Sequence, residues 1–152
     1  MTERALPGIE IYPHADCPDL SLAVLRKQTM EALPLCLACP GTEAPLLRDL
    51  DEVEINLTSD ETIATVHGEF MDDPTPTDVI TFHHGEIFVS VETAEREART
   101  HGNSVAEEVL LYIIHGLLHL NGHTDLAELE RDQMTREQER ILRNILDGPA
   151  AQ

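Results

Sequence analysis

The stretch from Ser104 to Asp125, S-V-A-E-E-V-L-L-Y-I-I-H-G-L-L-H-L-N-G-H-T-D, constrains the fold more than any other part of the chain. Ser104 and Glu107 have capping-box spacing, and Val109, Tyr112, Ile113 and Leu117 recur at helical intervals, which predicts a helix to about Leu120. Gly122 is the expected stop, because a left-handed helix end is easiest for glycine. This is the most hydrophobic helix of the chain, so it belongs at the centre of the fold, yet it carries His115 and His119. Residues four apart lie one turn above each other on one face, and two imidazoles so placed can meet one ion near the roughly 2.0–2.1 Å that zinc prefers. Two such histidines alone are also compatible with core residues satisfied by hydrogen bonds. The penalty for burying a polar pair in so apolar a helix, and the glycine stop that turns the chain back toward them, favour a metal site. Beyond the stop, His123, Asp125 and the more distant Asp132 are all available as a third ligand. Three protein ligands leave a fourth position for water, the pattern of catalytic rather than structural zinc.

The rest of the chain supplies what such a helix must pack against. Gly8 to Tyr12 alternates apolar and polar as a half-buried strand does. From Asp19 to about Leu37, Leu22, Leu25, Met30 and Leu33 predict a helix that Pro34 must end or kink. Val53, Ile55 and Leu57 alternate with Glu54 and Asn56 as a second strand, and Ser59 or Asp60 caps a short helix running to Gly68. After the turn-rich D-D-P-T-P-T of residues 72–77, Val79 to Phe82 and Glu86 to Val91 read as third and fourth strands joined at His84-Gly85. A helix over Glu92–Thr100 stops at Gly102, and a last one from about Leu126 uses Leu129, Met134, Ile141, Leu142 and Ile145. Gly148 to Gln152 reads as a loose tail. The expected fold is one α+β domain over residues 1–152, a small mixed sheet of about four strands with helices packed on it.

Composition narrows the partners. The 152 residues hold 29 acidic side chains against 10 basic ones, a formal net charge of −19. Such a surface repels phosphate backbones, so a nucleic-acid role needs a local metal-centred patch or a partner that supplies the affinity. No apolar run reaches the roughly 18 residues of a membrane span, and the start lacks a signal-peptide apolar core. Three cysteines, Cys17, Cys36 and Cys39, are too few for a disulfide framework, and the chain is expected in the cytoplasm. Cys36 and Cys39 form a C-x-x-C without a second ligand pair, read as buried thiols at a helix end. His83 and His84 read as turn residues, and the run E-L-E-R-D-Q-M-T-R-E-Q-E-R as a solvated helix face.

The motif at Ile113–Asp125 resembles the signature of the YbeY family of metal-dependent endoribonucleases of ribosomal RNA maturation, H-G-x-L-H-L-x-G-x-x-H. His115, His119, Leu118, Leu120 and Gly122 match it, and the family's third metal-binding histidine falls on Asp125. A carboxylate can replace imidazole at zinc, so the resemblance implies His115, His119 and Asp125 as ligands, preferred over His123. Pro76 to Phe82, P-T-D-V-I-T-F, is similar to the family's P-T-D-V-L-S-F, and G-E-I-F-V-S, Gly85 to Ser90, resembles its G-D-I-x-I segment. Together these cover about residues 52–146 in the right order. The resemblance implies one zinc ion per chain, a ribosomal RNA or ribosomal-subunit partner, and no DNA or membrane partner.

Two departures bear on mechanism. The family's arginine ahead of the P-T-D-V strand falls on Met71, which offers neither charge nor paired hydrogen bonds to phosphate. In H-E-x-x-H peptidases the residue after the first histidine is a general-base glutamate, and here it is Gly116. Hydrolysis therefore rests on a metal-activated water assisted by other carboxylates, Asp78 or Glu108. Glu108 lies two helical turns before His115. The leading expectation is a zinc-dependent endoribonuclease of ribosomal RNA maturation. A metallohydrolase of peptides or small esters, or an assembly factor with lapsed catalysis, are the alternatives.

Overall fold

A computed structural model describes residues 6–148. The chain runs β1 (Gly8–Pro13), α1 (Leu22–Leu37), β2 (Glu52–Thr58), α2 (Asp60–Met71), β3 (Val79–Phe82), β4 (Glu86–Ser90), α3 (Val91–His101), α4 (Val105–Leu120) and α5 (Glu128–Asp147). The four strands form one sheet in the order β1-β2-β4-β3. β1 and β4 flank β2 in parallel, pairing Ile9 with Val53 and Ile55 with Ile87, while β3 runs antiparallel to β4 and pairs Ile80 with Phe88. The fold is α+β, with a mixed sheet and five α-helices.

α4 occupies the centre, in contact with α1, α3, α5, β3 and β4. Its capping box is formed at both ends, with Ser104 Oγ accepting from Glu107 N–H and the Glu107 carboxylate accepting from Ser104 N–H. Leu110, Ile113, Ile114 and Leu117 are fully buried, so the helix is apolar nearly all round because neighbours cover nearly all of it. Gly116 permits the closest approach. A Cβ there would lie 2.8 Å from Ile87 Cδ1 and 3.1 Å from Thr81 Oγ1, so a side chain would require these neighbours or the helix to shift. The residue that stands where a peptidase has its base is here a packing residue.

Several element details differ from the sequence expectation. α1 continues one turn past Pro34, which lacks the N–H that would have bonded the carbonyl of Met30, a residue on the exposed side of the helix. Its buried face is Leu25, Thr29, Ala32, Leu33 and Cys36, whereas Leu22 and Met30 lie outside it, displaced around the helix from that stripe. α2 passes through Gly68 to Met71 and closes on Asp72 at φ 55°, whose N–H bonds the His67 carbonyl. α5 starts at Glu128, not Leu126, and it buries Met134, Ile141 and Leu142 while Leu126 and Leu129 remain 83% and 82% exposed. Of the expected tail, residues 149–152 lie outside the described residues. No helix among the described residues is long and apolar enough to cross a membrane.

Candidate metal centre

His115 and His119 leave α4 on the same side, with their Nε2 atoms 3.1 Å apart. Asp125 Oδ2 lies 3.9 Å from His115 Nε2 and 3.8 Å from His119 Nε2. Among the described residues these three are the one group of His, Cys, Asp or Glu whose donor atoms all fall within 4.8 Å of one another. Tautomers follow from the far side of each ring. His119 Nδ1 sits 3.0 Å from the His123 carbonyl, which can only accept, so the proton is on Nδ1 and Nε2 carries a lone pair. His115 Nδ1 faces Gln138 Oε1 at 2.8 Å, which orients its Nε2 lone pair the same way. Two lone pairs aimed at each other repel unless a cation lies between them. Four-coordinate zinc with ligands at about 2.0–2.1 Å has ligand atoms about 3.3 Å apart, so the two imidazoles fit such an ion, with Asp125 about half an ångström outside. Burial, and then the neighbouring His115 ring, push the His119 imidazole below its ordinary value, which favours the neutral form that a metal needs.

Asp125 reaches this place through the turn after α4. Gly122, at φ 95°, donates to His119 O at 3.1 Å and His123 donates to Leu118 O at 3.0 Å, the two bonds of a Schellman end. A strap from Gly41 to Leu46 then lies against the turn: Gly41 N donates to Asn121 O, Glu43 N to Gly122 O and Leu46 N to Leu120 O, at 2.9–3.0 Å. The contact is so close that a Cβ on Gly41 would sit 2.3 Å from Gly122 C, and one on Gly122 2.4 Å from Glu43 O. Asn121 Nδ2 donates to Cys36 O at 2.8 Å and His123 Nε2 to Cys39 O at 2.6 Å. His123 is thus a buried clamp on the end of α1, 4% exposed, and Asp132 on α5 is outside the donor group. The strap escaped the sequence reading; its only local sign is Gly41 beside Pro40, which does not say what the loop touches. Cys36 and Cys39 are free thiols. Burial raises both, Cys39 to about 11, so they are protonated near neutrality.

Two clefts meet at the imidazole pair. The first, about 530 Å³, is lined by His119 and Asp125 together with Met71, Val79, His83 and Leu126. The second, about 790 Å³, is lined by His115 with Asp78, Glu97, Glu107, Glu108 and Glu139. Asp78 lines this second cleft, and its Oδ1 accepts from Val79 N–H at 2.8 Å. Glu108, 2% exposed, accepts from Asn103 Nδ2 at 2.9 Å and lies 3.6 Å from His101 Nδ1. Burial first, and then the Glu108 and Asp78 carboxylates, hold the Tyr112 hydroxyl above its ordinary value. Asp78 and Glu108 thus share a cleft with His115 but are not among the three clustered donors. Of the two turn histidines, His83 lines the first cleft, while His84 stacks on Phe82 and pairs with Glu86 at 2.5 Å.

Fold and site together define a class: an α+β domain in which two histidines on a central helix and a carboxylate beyond its glycine stop converge at the meeting of two clefts. The sequence profile of the Endoribonuclease YbeY family matches residues 20–146, so α1 belongs to the shared part as well as the motifs from about residue 52 onward. The Endoribonuclease YbeY of Heliobacterium modesticaldum is 35% identical over 72% of this chain and 78% of that protein. That of Protochlamydia amoebophila is 42% identical over 51% and 59%, and that of Thermus thermophilus 36% over 59% and 73%. The solution structure of TM1509 from Thermotoga maritima is similar with a TM-score of 0.59 and 25% identity, covering 91% of this chain and 89% of that one. The chain belongs to the Endoribonuclease YbeY family.

Proposed function

We propose that this chain is a zinc-dependent endoribonuclease that processes ribosomal RNA in the cytoplasm, working on ribosomal subunits or their precursors. One observation carries the reading: in a YbeY-family chain, two imidazole lone pairs converge 3.1 Å apart with Asp125 across from them, at a place open to two clefts. His115, His119 and Asp125 hold the ion, with Gln138 and the His123 carbonyl fixing the rings from behind. When bound, the ion supplies Lewis acidity toward a phosphoryl oxygen and acidifies water. Asp78, which lines the second cleft together with His115, accepts the proton of the attacking water. Glu108, held by Asn103, lines the same cleft as Asp78 and is the second carboxyl available to the reaction.

Met71 on the first cleft stands where an arginine would grip the scissile phosphate. Losing charge-assisted contacts of about 1.5–3 kcal/mol each implies turnover roughly ten- to a hundredfold below that of an arginine-bearing relative. Cleavage of structured ribosomal RNA, with and without subunits, by wild type, Met71→Arg and His119→Ala is the test. Met71→Arg should be faster at unchanged metal content and His119→Ala inactive. Equal cleavage by His119→Ala would expose a contaminating nuclease, and silence from wild type and Met71→Arg alike would sink the nuclease reading.

A further inference from the structure

We infer that the first cleft is a nucleobase site: it takes one unstacked base of the RNA, adjacent to the phosphate held at His115, His119 and Asp125. The inference rests on the nuclease reading and adds to it where the substrate's affinity comes from. His119 and Asp125 line this cleft and His115 lines the other, so a phosphate at the donor group borders both and the attached nucleoside has these two clefts to enter. The second cleft carries Asp78, Glu97, Glu107, Glu108 and Glu139 against Arg143, and it repels a polyanion. Among the described residues lining the first cleft there is no Lys or Arg. Lysine or arginine contacts to phosphate therefore do not hold the strand there.

What the first cleft offers is apolar wall and a few polar groups. Met71 from the end of α2 is 48% exposed and Leu126 beyond α4 is 83% exposed, both lining the cleft, with Val79 from β3 between the elements. Large apolar side chains so exposed beside a polar donor group are typical of a binding surface. The volume of about 530 Å³ is that of an ordinary small-ligand site and admits a base with its sugar. Thr77, His67 and His83 add side chains able to hydrogen-bond a base edge. Every base has an apolar face, so burial between such walls binds a strand without cationic contacts, in a chain whose net charge is −19.

The test uses the full chain loaded with zinc and a short RNA carrying 2-aminopurine, whose fluorescence rises when the base leaves its stack. Wild type should raise the fluorescence on binding. Leu126→Ser, an exposed position where folding is not at stake, should weaken binding and raise KM by about tenfold or more, with kcat and zinc content unchanged. The same RNA with an abasic nucleotide at the cleavage position should bind about tenfold more weakly to wild type and equally to Leu126→Ser. The slope of log affinity against log salt should be no steeper than about −1, since few phosphates are neutralised. Equal binding of intact and abasic RNA, or no change on Leu126→Ser, would overturn the base site, and the apolar lip would then be a surface for a protein partner. If RNA is cleaved with none of these sensitivities, the base site falls and the nuclease stands. If the fluorescence response and its Leu126 dependence appear without cleavage, the nuclease reading falls and the base site stands.

Discussion

The two clefts that meet at His115 and His119 are built from the same kinds of element yet differ in the charge that lines them. One is walled by Met71, Val79 and Leu126 and carries no lysine or arginine among its described lining; the other is lined by five carboxylates. On the proposed function and base site, the difference is a division of labour at one point of the fold. Negative charge beside a metal-binding pair suits proton transfer and repels substrate, while an apolar wall beside it suits holding a base and contributes nothing to proton transfer.

The comparison breaks most completely if the donor group is not shared by both clefts. Wild type should carry about one zinc per chain by elemental analysis, and His115→Ala and His119→Ala should each lose it, and with it all cleavage. Asp125→Ala should lose most of the metal affinity and Asp125→His should restore it. His123→Ala should keep the metal while destabilising the fold by about 1–3 kcal/mol, because it strips the partly buried Cys39 carbonyl of its partner. Loss of metal from His123→Ala at unchanged stability would move the third ligand and redraw both clefts.

Next in size is the acidic side. Asp78→Asn should lower kcat by about a hundredfold with KM nearly constant, the mirror image of a change in the apolar cleft. A KM effect instead would mean that the acidic cleft also touches substrate, and the division of labour would fail.

A smaller effect concerns the turn that carries the chain from one cleft to the other. Gly122→Ala adds a Cβ at φ 95° and 2.4 Å from Glu43 O, so thermal or urea unfolding should show a loss of roughly 2 kcal/mol or more. Gly102→Ala, at φ 72° with open space around it, should lose only about 1 kcal/mol and leave metal affinity unchanged. Similar losses at both glycines would show that the strap does not press on the turn.

The smallest expected effect is one of pH. His119 titrates below its ordinary value of 6.5, because burial and then His115 disfavour its cation. In the metal-free protein the unfolded chain therefore binds the proton first as pH falls. The contribution of His119 to stability is complete above 6.5 and is lost as pH drops from there through the folded value. Melting curves of wild type and His119→Gln without metal should converge as pH falls from 7.5 to 5. Divergence instead would mean that the ring charges readily in the folded state.

The sequence by itself determined what depends on neighbours along the chain. The capping box at Ser104, the four-residue spacing of His115 and His119 and the stop at Gly122 all act over a few residues, and each is formed as expected. The β3–β4 hairpin and the strand alternation were legible for the same reason, since side-chain period is a local property. Tertiary structure alone decided which apolar residues are core. Met30 and Leu129 fit a helical period yet face water, because which stripe of a helix is covered depends on where its partners sit. It alone also decided that His123 serves the carbonyl of Cys39, 84 residues away, while Asp125 turns to the histidines. The strap from Gly41 to Leu46 that holds that turn, and the unlike chemistry of the two clefts, come from segments far apart in sequence. Contacts of that kind are chosen by the packing of the whole domain, and no local pattern encodes them.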